Sequence, residues 1–375
     1  LRADELDARL AKLRTRGTFD VTASFGALRW EEAVVEDAKL SVRVAHGKLA
    51  ADGDPSKPKV EAQALSLDAA AKTVDLADPL RELEASFAMP EAAIVDLQLL
   101  AAYLPKKSMK VVRGRSGFAL DGHVTIRDHL ARGELHARST ALGLEIGDVH
   151  VRAAVEAHAK VHDWKWEHGD LALDEASVDI TAITMSKGDD PRPLASIERM
   201  AIGLESLAFA FSDPLARVDV RAKVTGGKVS DPVALDAFLP DGATYGLASE
   251  DGTFEANALF AITDHVARGR AHATARRMGL RTAPLTVHGD TIVELDIDRW
   301  ELEKKRMSLG ASRIAITGVR GRFGHDGGSE LTGERIELTG KAQDLDVAHP
   351  ALRGVDARLV LGPARIPDAR ALQAL

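Results

Sequence analysis

The side chains with the clearest capacity for chemistry are histidines, and they come in matched pairs. His129 and His265 lie 136 positions apart, as do His136 and His272. Imidazole could ligate a metal or titrate near neutral pH. Two observations turn the reading away from that chemistry. The first pair sits in a duplicated segment, Asp128-His-Leu-Ala-Arg-Gly133 and Asp264-His-Val-Ala-Arg-Gly269, and duplication implies a shared structural job, with the aspartate capping backbone at a strand start or turn. In the second place, His158 and His162 share the wet face of a predicted strand but stand about 13 Å apart at about 3.3 Å per residue, too far to chelate easily. They read as solvated surface histidines.

No other constellation converges on a reaction. The chain lacks cysteine, which removes thiol catalysis, disulfides and Cys-based metal sites. It contains no Gly-x-Ser-x-Gly elbow, phosphate loop, His-Glu-x-x-His or dinucleotide fingerprint. The glycine-rich stretch Gly318–Gly328 lacks the Lys-Ser/Thr that would hold phosphate and reads as a loop or hairpin. Neither a catalytic residue, a metal site nor a cofactor is expected, and the chain is read as a non-enzyme. The net charge of −8, with both signs mixed along 375 residues, gives no basic footprint for nucleic acid. No run of 18 apolar residues is present, so no segment of this sequence reads as a membrane-spanning helix.

The elements that position these residues repeat at long period. Trp30, Trp166 and Trp300 each open a Trp-Glu segment; Asp78-Pro79-Leu80 returns as Asp213-Pro214-Leu215, and His349-Pro350-Ala351 follows. Asp96…Leu100…Tyr103 returns as Asp231…Leu235…Phe238 and as Asp368…Leu372…Leu375, the first two ending in Leu-Pro. Three repeats are expected, over 1–105, 106–240 and 241–375. The last stops where Leu-Pro would come and the chain opens on Leu1, so the sequence reads as a piece of a longer protein. The tryptophans are expected to pack between repeats.

Within each repeat the hydrophobic period is two. From Val149 to Val161, valine and alanine occupy alternate positions while His150, Arg152, Glu156, His158 and Lys160 take the others, with Ala154 the exception, the mark of a strand with one dry and one wet face. The same alternation marks strands around residues 118–126, 217–224, 254–262 and 293–298. Gly147-Asp148, Gly226-Gly227, Gly289-Asp290 and Gly327-Gly328 read as turns. Residues 1–14 fit an amphipathic helix through Leu6, Leu10 and Leu13, and a short helix is expected before each Leu-Pro. The fold class is therefore mainly β: an elongated, curved antiparallel sheet, a groove, with short helices at repeat junctions. About eight strands per repeat at about 4.8 Å would add about 40 Å each.

Such a sheet has too few helices to bury its dry side. The side chains expected to line it are Val124, Ile126, Leu135, Val149, Val151, Val155, Val218, Val220, Val224, Phe254, Phe260, Val293, Leu295, Ile297, Leu359 and Leu361.

The pattern of strand, short Asp…Leu…Leu-Pro helix and strands such as Gly117-Phe-Ala-Leu-Asp-Gly122 resembles the AsmA-like and TamB-like envelope proteins of the repeating-β-groove, bridge-like lipid transfer superfamily. The resemblance covers most of the chain. It implies a periplasmic β-groove carrying phospholipid acyl chains between inner and outer membrane, an inner-membrane anchor upstream and an outer-membrane partner. The other reading of the residues is a structural or chaperone scaffold that uses an exposed β-edge to assemble outer-membrane proteins.

Overall fold

The computed structural model describes residues 2–10, 13–51, 60–79, 81–94, 109–111, 116–146, 149–165, 170–188, 192–210, 217–231, 245–282, 285–323, 330–346 and 354–365. Among them there are twenty strands and no helix. The first repeat holds β1 (Arg2–Leu10), β2 (Leu13–Ser24), β3 (Ala27–Arg29), β4 (Val34–Ala51), β5 (Val60–Asp75) and β6 (Glu82–Ile94). Next come β7 (Met109–Val111), β8 (Ser116–Arg127), β9 (Leu130–Ile146), β10 (Val149–Lys165), β11 (Asp170–Lys187), β12 (Ala195–Ala210) and β13 (Arg217–Val229). The remainder are β14 (Tyr245–Thr263), β15 (Val266–Thr282), β16 (Leu285–Glu301), β17 (Arg306–Phe323), β18 (Glu330–Asp346), β19 (Val355–Leu361) and β20 (Ala364–Arg365).

The protein is mainly β and antiparallel throughout its described pairings. Two compact units are formed, one from Leu1–Glu145, Ala153–Asp179 and Leu204–Pro214, the other from Ile146–Arg152, Ile180–Gly203 and Leu215–Leu375. In the first, pairing runs β1–β2–β4–β5–β6–β8–β9, with β3 added on β4. In the second it runs β13–β14–β15–β16–β17–β18, and β18 then pairs with both β19 and β20. Neither series returns to its first strand, so each is an open sheet rather than a barrel.

The repeat is written into the strand bounds. β4, β11 and β17 each hold 18 residues and begin at 34, 170 and 306, a period of 136. One period from β10 to β15 contains six strands, not the eight expected, because strands of 13–19 residues use up the period. Six strands at about 4.8 Å give about 29 Å of sheet width per repeat.

Backbone dihedrals repeat as well. Positive φ occurs at His46 (53°), Ala182 (51°) and Gly318 (60°), again 136 apart. At the first and third of these the ladder slips identically: β2 runs Arg16 to Thr18 while β4 runs Lys48 to Ala45, and β16 runs His288 to Asp290 while β17 runs Arg320 to Thr317. Two residues oppose one, a β-bulge that bends the strand and increases its twist.

The duplicated Asp-His segments are hairpin turns. Arg127 pairs with Leu130 and Thr263 with Val266, which leaves two-residue loops. Asp128 and His129 (φ 47° and 63°) match Asp264 and His265 (48° and 61°). Positive φ at both central positions is the type I′ arrangement, whose twist fits the flanking strands. Four residues on, glycine is required for a separate reason. A Cβ on Gly133 would stand 2.0 Å from the His123 carbonyl oxygen, and one on Gly269 would stand 2.0 Å from that of Leu259.

Several expectations are corrected. Residues 2–10 form β1, not a helix: Leu6 and Leu10 are spaced i, i+4, which puts them on one side of a strand as well as of a helix, and Leu10 pairs with Leu13 across the hairpin. Gly226-Gly227 and Gly289-Asp290 are not turns but register shifts inside β13 and β16. Gly318 to Arg322 is strand rather than loop. Trp30 is 80% exposed and packs between no repeats, whereas Trp300 meets the Phe260 ring edge-on at 6.4 Å. The Leu-Pro segments, Trp166, Gly147-Asp148 and Gly327-Gly328 lie outside the described residues.

Candidate functional site: an apolar sheet face

Directly paired residues of an antiparallel sheet share a face, so register alone shows what each face carries. In the first unit one row reads Val21, Val42, Leu67, Phe87, Gly122, Leu135 across six strands. The adjacent row on that face reads Ala23, Leu40, Ala69, Ala85, Val124, Gly133. The row between them, on the opposite face, reads Thr22, Ser41, Asp68, Ser86, His123, Glu134.

The second unit repeats the division over seven strands. Val224, Ala256, Ala273, Val293, Ile314, Leu338 and Leu359 form one row. Val220, Phe260, Gly269, Ile297, Leu309, Ala342 and Val355 form another. The row behind the first reads Lys223, Asn257, His272, Glu294, Arg313, Thr339, Arg358. Each unit therefore has one mainly apolar and one polar side, the apolar side being interrupted by Ser139 in the first unit and by Thr291 and Ser312 in the second.

The expected lining residues fall as follows. Val124, Ile126 and Leu135 lie on the apolar face of the first unit. Val155 joins them, because its neighbour Glu156 accepts a 2.8 Å hydrogen bond from His136 on the polar side. Val218, Val220, Val224, Phe254, Phe260, Val293, Leu295, Ile297, Leu359 and Leu361 share the apolar face of the second unit. Val149 and Val151 alternate with His150 and Arg152 along β10. Exposure separates the set. Val149, Val218 and Ile297 are buried, at 1%, 4% and 5%, and are closed over by protein. Leu359 and Leu361 are exposed at 59% and 64%, and the others are half-buried.

Sequence reasoning missed Val42, Leu67 and Phe87 in the first unit and Ile314 and Leu338 in the second. Part of the signal was available: Leu65-Ser-Leu67 and Ile336-Glu-Leu338 alternate, whereas Phe87-Ala-Met89 and Ile314-Ala-Ile316 are apolar throughout. Their runs are short, and register is what joins them into a surface.

Among the described residues, close backbone approaches between strands are those of paired neighbours, with one exception: β14 approaches β16 across β15. Strands two apart in a flat sheet stand about 9.6 Å apart, so this approach within 8 Å marks a local bend. It falls on the strand of Gly269 and Gly279, where a Cβ would stand 2.0 Å and 1.7 Å from neighbouring carbonyl oxygens. Phenylalanine fills space left by glycine on the same face. The Phe87 ring lies over Gly122, and the Phe254 ring lies over Gly227, a cross-strand pairing that recovers contact the glycine lacks.

The polar side is laced with cross-strand ion pairs. Arg43 donates to Asp68 at 2.9 Å, Arg132 to Asp163 at 2.8 Å, and Arg313 to Glu337 and Glu294 at 2.6 and 3.1 Å. The hydrogen bond from Arg43, helped by one from Ser41, holds the Asp68 carboxyl below its ordinary pKa. Glu337, then Glu294, raises that of Arg313. Histidines belong to this network. His136 lies between Glu156 and Asp121, at 2.8 and 3.6 Å, and His129 pairs with Asp78 at 3.0 Å. Among the described residues no group of His, Asp and Glu is arranged to hold a metal ion.

A concavity of about 690 Å³ opens in the first unit where β4 bulges at His46 and β6 at Pro90-Glu91. Its floor includes Ala62, Ala92, Ala93 and Ala119, all buried, and its rim carries Lys48, Glu61 and Arg138. No helix among the described residues is long and apolar enough to cross a membrane. Comparison with protein-family models, with curated proteins and with solved structures gives no match.

Proposed function

We propose that the protein is a non-enzymatic lipid conduit whose apolar sheet face solvates phospholipid acyl chains. The observation that carries this reading is the registered apolar face of each unit, which leaves Leu40 exposed in the first and Leu338, Leu359 and Leu361 exposed in the second. A β-sheet with one dry side must bury it against something, and an acyl chain is a suitable occupant. Each buried CH₂ is worth about 0.8 kcal/mol, so a chain of about sixteen carbons gains on the order of 12 kcal/mol. The headgroup stays in water at the edge of the face.

The repeat supports movement rather than storage. Similar valine, alanine and leucine rows recur along the strand series, so no position binds an acyl chain much more tightly than the next. The resemblance to AsmA-like and TamB-like proteins points the same way. On that reading the protein works in the periplasm, held by an inner-membrane anchor and meeting an outer-membrane partner.

Native mass spectrometry of gently extracted protein tests the reading. It is expected to show co-purified phospholipid, and less of it on a Val220→Asp variant that remains folded. Wild-type protein free of lipid, or full lipid occupancy on the folded variant, would refute it.

A further inference from the structure

The geometry points to β19 as an acceptor edge for one more antiparallel strand of the repeat's own β8 type. Two periods earlier, 271 positions back for β18 and 272 for β19, β5 and β6 pair as β18 and β19 do. Leu67 pairs with Phe87 as Leu338 pairs with Leu359, and Ala69 with Ala85 as Gly340 with Ala357. The copy extends to the irregularity beyond it. β6 bulges at Pro90-Glu91, and Gly362-Pro363 interrupts the line between β19 and β20 at the matching place.

In the earlier copy the far edge of β6 is filled by β8. Leu83 pairs with Ile126, Ala85 with Val124, Phe87 with Gly122 and Met89 with Leu120. The far edge of β13 is likewise filled by β14. β19 pairs with β18 alone among the described residues. The side chains show the difference: Phe87 and Met89 are half-buried, whereas their counterparts Leu359 and Leu361 are 59% and 64% exposed and Val360 is 38% exposed. An edge with free N–H and C=O groups and uncovered leucines is a template for strand addition.

The copied register specifies the occupant. Val355 would face a large aliphatic residue, Ala357 a valine, Leu359 a glycine that leaves room as Gly122 does for Phe87, and Leu361 a leucine. The strand Ser116–Arg127 has that pattern. We commit to a strand of this type, as a further copy of the repeat would supply it. The inference stands whether or not the apolar face carries lipid.

The test uses the full chain and a synthetic peptide of residues 116–127. Because the chain has no cysteine, disulfide trapping reads register cleanly. An Ala357→Cys protein is offered the peptide with cysteine at position 124, or with cysteine at position 123 on the opposite face. Capture at 124 is expected to be about tenfold faster, because a one-residue slip turns the side chain to the other side of the sheet. Hydrogen exchange on the wild-type chain is expected to slow at Val355–Leu361 with this peptide and not with a scrambled one. Equal capture at both positions, no protection of β19, or equal protection by the scrambled peptide would each overturn the inference.

Discussion

Replacing Gly269 with alanine tests whether the repeated Asp-His-x-Ala-Arg-Gly segment is a backbone device. The added methyl would stand 2.0 Å from the Leu259 carbonyl oxygen and 2.9 Å from the Phe260 Cα. To reach even 3.0 Å, the carbonyl must retreat by about 1 Å, and it belongs to the β14–β15 ladder rather than to a flexible side chain. Overpacking costs about 1–3 kcal/mol, and a rigid backbone obstacle places this variant near the upper end, about 3 kcal/mol. With a urea dependence of about 3 kcal/mol per molar, the midpoint falls by about 1 M. Gly318→Ala is the comparison. Its φ is +60° but nothing lies within 4 Å of the added methyl, so only the left-handed backbone penalty applies, about 1–2 kcal/mol. Urea unfolding followed by circular dichroism is expected to rank Gly269→Ala below Gly318→Ala below wild type, with Gly133→Ala close to Gly269→Ala. Gly269→Ala unfolding with wild type would refute the steric reasoning.

Two further outcomes follow from the polar face and from the tryptophans. Hydrogen bonding from Arg43 depresses the folded pKa of Asp68. Its stabilising contribution is therefore complete above the unfolded carboxyl value and lost as pH falls through the lower folded value. In Arg43→Gln the Asp68 carboxyl is expected to titrate at higher pH by NMR, and an unchanged titration would show that the Arg43 hydrogen bond is not the cause. Trp30→Ala is expected to change stability by no more than about 0.5 kcal/mol, as exposed sites do. Trp300→Ala, which removes the ring resting on Phe260, is expected to cost about 3 kcal/mol or more. Equal losses in urea unfolding would contradict the packing assigned to the two.

Much of the sheet was legible because period-two alternation is a direct print of a half-buried strand. Val218, Val220, Ala222 and Val224 alternate with Arg217, Asp219, Arg221 and Lys223 in the sequence, and the structure places the two sets on opposite faces. Ambiguity entered where one signal serves two geometries. A glycine pair supplies the conformational freedom for a turn or for a bulge, and Gly226-Gly227 is a bulge because β13 continues past it to pair Val229 with Gly252. Leu6 and Leu10 satisfy both strand and helix spacing, and pairing with β2 decides the matter. Register was beyond reach of the pattern, so the rows that join Val42, Leu67 and Phe87 became visible only once partners were known.

A lipid conduit requires that lipid rather than water occupy the apolar face. A photoactivatable phospholipid with its reactive carbon near the acyl terminus, cross-linked to the folded chain and mapped by mass spectrometry, reads this position by position. Labels are expected on Val220, Val224, Val293 and Leu359, which share one face, and few on Lys223, Glu294 or Arg358 behind them. Labels spread evenly over both faces, or absent from the valine side, would contradict a lipid conduit.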